Sequence, residues 1–171
     1  MFPKTIKLIL AVLTIVFSVF QFTEGAIGNG IFLLLLAGMF ILLYYKNEFI
    51  ILAFFQLRKQ NFDGTLKWLN RISSPEKNLV RKQQGYYNYL HGIILSQTNL
   101  TKAEKYFKKS LELGLAMDTD LAMANLSLSG IYMQKRRKRE ATLLLNKAKK
   151  LDTQGVLSGQ IKQMQQQMKR I

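Results

Sequence analysis

The stretch YYNYLHGIILSQTNLTKAEKYFKKSLELGL, Tyr86 to Leu115, decides how the rest of the chain is to be read. Tyr87, Leu90 and Ile94 recur at helical spacing, a polar break runs from Thr98 to Thr101, and Ala103, Phe107, Ser110 and Leu111 set up a second apolar stripe. Two helices joined by a short polar turn make a helical hairpin. Neither stripe can be buried by this hairpin alone, so the segment predicts neighbours of its own kind.

Those neighbours occur at a fixed offset. Leu52, Leu90 and Leu128 are 38 residues apart, and the same interval separates Thr65, Ala103 and Ala141; Leu69, Phe107 and Leu145; and Ile72, Ser110 and Ala148. Each column puts a small or apolar side chain where two helices would approach, and the columns between are filled with Lys, Gln and Asn. Stacking such pairs builds a continuous core.

The middle and last units resemble the tetratricopeptide repeat. Tyr87, Leu90, Ile94, Ala103, Phe107 and Ser110 stand where that family has a large aromatic, leucine, a second aromatic, alanine, an aromatic and a small residue. Leu128, Tyr132, Ala141, Leu145 and Ala148 repeat the pattern within Leu126 to Lys150. The period is 38, about one helical turn longer than the family's 34, and Ser74, Pro75 and Glu76 form a helix start early enough to supply that turn. Asp118 opens the third unit similarly early. His91 and Ser129 occupy the family's glycine place, with Gly92 and Gly130 one residue later. The resemblance implies an all-α solenoid of three units, about 46–75, 76–115 and 116–153, and a binding groove. Carried over by position, the groove is lined by Asn88, Gly92 and Leu95 and by Leu126, Gly130 and Met133. An apolar or neutral peptide or helix from a protein partner is the implied ligand.

Residues 154–171 place Leu157, Ile161, Met164, Met168 and Ile171 on one face and Gln and Lys on the other. A one-sided last helix is expected to cap the exposed end of an array. The alternatives are a methionine stripe offered to another protein, and a groove filled by this helix itself.

Upstream of the array the composition changes sharply. Residues 1–45 hold only Lys4, Lys7 and Glu24 as charged groups, leaving 23 Lys and Arg against 9 Asp and Glu for residues 46–171, a balance of +14 (23 minus 9). Two apolar runs, 6–22 and 27–45, are expected to form a transmembrane hairpin, the 19 residues of the second reaching about 28 Å as a helix. A cleaved signal peptide is the competitor for the first run. It is disfavoured because Val19, Phe20, Gln21 and Phe22 are mostly bulky where a peptidase needs small side chains. Lys4 and Lys7 are read as flanking the first span, Lys46, Arg58 and Lys59 follow the second, and the connecting loop has no basic residue. That asymmetry places both termini in the cytoplasm of an integral membrane protein, read here as one of a bacterial inner membrane. Gly38 is read as lipid-facing in preference to a helix-contact notch. Lys46, Asn47 and Glu48 mark the interface, and the apolar run from Phe49 to Leu57 is too short for a third span, so it is expected to bury one face against the next helix and rest the other near headgroups.

Little in the chain suggests catalysis. Without cysteine, thiolate chemistry is excluded, and a single histidine cannot build an imidazole-rich metal site. His91 has no acidic residue within four positions and is expected to be packed; Glu104, Glu112, Glu140 and Asp152 are expected as solvated ion pairs among lysines. The chain is therefore read as a non-enzyme with no cofactor and no metal. Lys135, Arg136, Arg137, Lys138 and Arg139 form a basic edge at the turn of the third unit. It suits anionic lipid headgroups or an acidic protein, or it is a solvated turn; nucleic acid is disfavoured, because no aromatics are interleaved to stack bases. The functional expectation is a membrane-anchored scaffold that binds a protein through the groove. The alternatives are an accessory subunit of a membrane transporter or enzyme acting through the hairpin, and an anionic-lipid-contacting surface protein.

Overall fold

A computed structural model describes residues 4–45 and 47–169; Lys46 and Ile171, which entered the interface and cap readings, lie outside the described residues. The described chain is all helical: ten α-helices and no strand occur among these residues. It divides into two compact units, 1–80 and 81–171.

The first unit opens with α1 (Lys4–Thr23) and α2 (Ile27–Tyr45), both long and apolar enough to cross a membrane. Gly25, at φ +79°, turns the chain between them. They pack through small residues seven apart, Ala11 and Ser18 on α1, Gly30 and Ala37 on α2, all buried. Small side chains at these positions let the two helix backbones approach closely. Ser18 Oγ donates to the Gly30 carbonyl at 2.8 Å, and the Phe22 ring lies so close that a Cβ on Gly30 would meet it at 2.7 Å. A Cβ on Gly38 would meet nothing within 4 Å, so this glycine is not a contact notch between the two helices.

Lys7 does not flank the first apolar run. It lies inside α1 and is buried, its ammonium donating to Glu48 Oε2 at 2.6 Å and to the Leu43 carbonyl at 3.3 Å. A cation within an apolar helix needs a partner once it leaves water, and Glu48 is that partner.

Asn47 is extended and caps α3 (Glu48–Arg58), its side-chain oxygen accepting from Phe49 N at 3.0 Å. The cap breaks the apolar run as expected. Then α4 (Phe62–Leu69) folds back onto α3, with Asn61 capping it through Gly64 N. The proposed Leu52 column needs correction. Leu52 is 37% exposed, and Ala53, one residue later, takes the buried place that His91 and Ser129 hold downstream. Both faces of α3 are apolar, so composition did not distinguish them. The helix start at Ser74 to Glu76 also yields less than expected: α5 (Pro75–Asn78) is a separate single turn, because Leu79 is extended and buried, and the next helix begins only at Arg81.

The second unit contains α6 (Arg81–Leu95), α7 (Leu100–Leu113), α8 (Asp118–Gln134), α9 (Lys138–Leu151) and α10 (Ser158–Lys169). α6 pairs with α7 and α8 with α9. In the first pair glycine permits the closest approach: a Cβ on Gly85 would collide with the Gly114 carbonyl oxygen, and one on Gly92 would touch the Phe107 ring at 3.0 Å. In the second pair Ser129 Oγ donates to the Ala141 carbonyl at 2.7 Å.

The 38-residue interval recurs in the backbone itself. At the three interhelix turns, the amides of Gln60, Thr98 and Arg136 donate to the carbonyls of Leu57, Leu95 and Met133, and the amides of Thr65, Ala103 and Ala141 donate to the carbonyls of Asn61, Asn99 and Arg137. Gln60 and Arg136 share a left-handed backbone, φ +56° and +57°. The three second-helix columns are buried throughout: Thr65, Ala103 and Ala141; Leu69, Phe107 and Leu145; Ile72, Ser110 and Ala148.

Candidate functional site

Within the second unit a cavity of about 330 Å³ lies between α8 and α10, lined by Met123, Leu126, Ser127 and Gly130 on one side and Gln160, Gln163, Met164 and Gln167 on the other. These positions on α8 fall three or four residues apart, on one helix face. α10 is held by Leu157, Ile161 and Met168, all buried, while Met164 is half-buried and leans over Gly130, its Cε 3.4 Å from where a Cβ would stand. Asp152 Oδ2 accepts from Leu157 N at 2.9 Å and fixes the turn that brings α10 back. The last helix therefore covers part of the expected groove.

The expected groove residues separate into different environments. Leu126 and Gly130 line the cavity. Met133, on the same helix, is half-buried outside it. On α6, Gly92 faces the Phe107 ring and belongs to the α6–α7 contact, so it does not form an open floor. Asn88 is buried, and its amide donates to the Gln84 carbonyl at 2.7 Å on its own helix. Leu95 is half-buried at the end of α6. Met123 and Ser127 were missed; their i, i+4 relation to Ser127 and Ile131 was visible, but the occupant across from them was not.

None of the eight lining residues is charged, in a chain of net charge +15. Methionine, small residues and glutamine amides give the site a soft apolar floor with neutral hydrogen-bonding groups at its rim.

The basic edge differs from the expected row of five projecting cations. Lys135 Nζ bonds Glu104 Oε2 at 2.6 Å; Arg137 lies 3.5 Å from Glu104 Oε1, pairs with Glu140 at 2.7 Å and stacks over the Tyr132 ring at 4.4 Å. The left-handed backbone at Arg136 turns these neighbours back toward α7. Arg136, Lys138 and Arg139 remain exposed. Glu104 is likewise not a solvated surface group. It is buried and also bonds Lys108 at 2.7 Å. Burial alone would push its carboxyl up, but the bonds from Lys108 and Lys135 outweigh that and hold it at about 2.

A second tie joins the two helix pairs. Tyr86 donates to Asp120 Oδ2 at 2.6 Å and accepts from Ala116 N at 3.2 Å, and burial followed by the Asp120 carboxylate pushes its phenol up to about 12. His91 is buried with its ring edge-on to Tyr87, centroids 4.5 Å apart, and stacked on Tyr106 at 5.1 Å; burial lowers its pKa to about 4. A neutral imidazole enclosed by two rings is a packing group.

Among the described residues no group of three or more His, Cys, Asp or Glu is placed to hold a metal ion. No model of a known protein family matches the chain, and no curated protein or solved structure was found to be similar to it.

Proposed function

We propose that this chain is a membrane-anchored adaptor: the α1–α2 hairpin spans a bilayer, and the helical repeats behind it form a tetratricopeptide-like scaffold that binds a protein partner in the α8 concavity. The observation that carries the binding role is the uncharged, methionine-bearing cleft over Met123, Leu126, Ser127 and Gly130 in an otherwise strongly basic protein. It suits a neutral amphipathic helix or peptide. Support for a repeat scaffold comes from the turn hydrogen bonds and buried columns that recur every 38 residues.

Support for the anchor comes from burial. Only 17% and 11% of the two apolar windows are buried, whereas a soluble core helix would be mostly enclosed. Leu8, Val16, Phe17, Phe32, Leu35 and Leu42 all face outward. Apolar surface of that extent needs lipid or protein to cover it. With no basic residue in the connecting loop and Arg58 and Lys59 after the second span, the repeats belong on the cytoplasmic side. Tethering there raises the effective concentration of a membrane-associated partner.

Met123→Arg and Ser127→Arg in the full-length chain, extracted in mild detergent, should remove one specific protein from the co-purifying set, while Lys149→Glu on α9 should not. Identical recovery from all three would reject the cleft. An accessory subunit working through the hairpin is separated by exchanging α1 and α2 for an unrelated pair of spans: the adaptor keeps its partner, and the accessory subunit loses it.

A further inference from the structure

α3 carries an apolar face that its own unit leaves open. Ile50 and Ala53 are buried, but Ile51 and Leu52 are partly exposed and Phe55 is 56% exposed, and Phe62 at the start of α4 is open as well. Arg58 and Lys59 follow in the last turn and cap, both exposed. An apolar stripe ended by two cations is the composition of a helix that lies in a membrane interface, with long basic side chains reaching phosphates while their stems stay in apolar surroundings.

The position of this face is fixed by the Lys7 pair. Lys7 near the start of α1, the Leu43 carbonyl near the end of α2 and Glu48 in the first turn of α3 meet at one point. α3 thus begins at the level where both apolar helices end on their shared side, and the extended backbone of Asn47 prevents it from continuing α2. The exposed apolar face of α3 therefore begins within a turn of the level where the two apolar helices end.

We infer that α3 is an interfacial helix, with Ile51, Leu52 and Phe55 seated at the boundary between headgroups and acyl chains and Arg58 and Lys59 at the phosphates. This inference rests on the membrane anchor proposed above. The arrangement fixes the first helix pair against the bilayer instead of leaving it on a flexible stalk.

The chain has one tryptophan, so Trp68→Phe gives a silent background for single indole reporters. Phe55→Trp and, as a second reporter on the same face, Ile51→Trp would be made in the full-length protein. Phe17→Trp on α1 serves as the bilayer reference. All three are reconstituted into phosphatidylcholine and phosphatidylglycerol vesicles containing lipids brominated either near the headgroup or near the bilayer centre. The α3 reporters should lose most of their emission to the shallow bromines and little to the deep ones, and resist aqueous iodide; the Phe17→Trp indole should respond to the deep bromines. If the α3 reporters are iodide-accessible, or insensitive to both lipids and iodide as a protein cover would make them, while Phe17→Trp is quenched by lipid, the interfacial helix is wrong and the anchor stands. If Phe17→Trp is also insensitive to lipid, the anchor fails and the inference with it.

Discussion

Glu104 on α7 and Lys135 at the end of α8, 31 residues apart in sequence, are joined at 2.6 Å, and this bond is the centre of a network that ties the middle helix pair to the third. Lys108 and Arg137 add a second and third cation to the same carboxylate, and both also lie over the Tyr132 ring.

Removing the carboxylate takes from Lys108 and Lys135 the counter-charge they share and leaves them beside Arg137, which keeps only Glu140. Glu104→Gln is expected to destabilise the protein by about 2–3 kcal/mol, less than a fully buried pair because the lysine and arginine ends are partly solvated. The pH dependence follows from a folded pKa of about 2 against an ordinary value of 4.5. Because the folded value is depressed, the stabilisation is complete above 4.5 and lost as pH falls toward 2. Urea unfolding of the detergent-solubilised chain, followed by circular dichroism between pH 2 and 6, should show this slope in the native protein and a flatter one in Glu104→Gln. Equal slopes would mean that the carboxylate is solvated.

His91 gives an independent pH signature as the sole histidine of the chain. Its folded pKa of about 4 lies below the ordinary 6.5, so its contribution is complete above 6.5 and declines as pH falls through 4. The imidazole C2 proton should titrate near pH 4 by NMR, and His91→Phe should be neutral or stabilising at pH 5. A midpoint near 6.5 would place the ring in water, outside the Tyr87–Tyr106 sandwich.

Two glycines in α6 are predicted to tolerate no side chain. Gly85→Ala would drive a methyl into the Gly114 carbonyl and Gly92→Ala would press on Phe107, each costing about 1–3 kcal/mol, with Gly85 the worse because backbone cannot move aside. Gly159→Ala in α10 meets nothing within 4 Å and should stabilise by about 0.5–1 kcal/mol. Thermal melting of the three variants orders them directly.

The columns at Thr65, Leu69 and Ile72 and their equivalents were legible because helix pairs place small and apolar side chains at fixed periods, and a period survives in sequence. The all-helical class and the two long apolar helices were legible for the same reason. The Glu104–Lys135 and Tyr86–Asp120 ties were not, since polar partners more than 30 residues apart obey no local pattern. That Lys7 lies inside the run 6–22 was visible in the sequence, but its partner Glu48, 41 residues away, was hidden for the same reason. Leu52 failed because α3 is apolar on both faces, and Gly92 because its column position did not reveal which neighbour it touched.

The α1–α2 seam predicts a contrast between two glycines. Gly30→Leu should strike the Phe22 ring and open the Ser18 contact, lowering the amount of carbonate-resistant protein in membranes; Gly38→Leu, with open space around it, should leave that amount unchanged. Equal behaviour would place the seam elsewhere.

Binding in the α8 cleft is tested most directly by photo-crosslinking in intact cells. A photoreactive amino acid replacing Ser127, which lines the cleft, should join the chain to one discrete protein partner, and the same group replacing exposed Lys149 on α9 should not. No adduct from position 127, or the same adducts from both positions, would contradict an adaptor that holds its partner there.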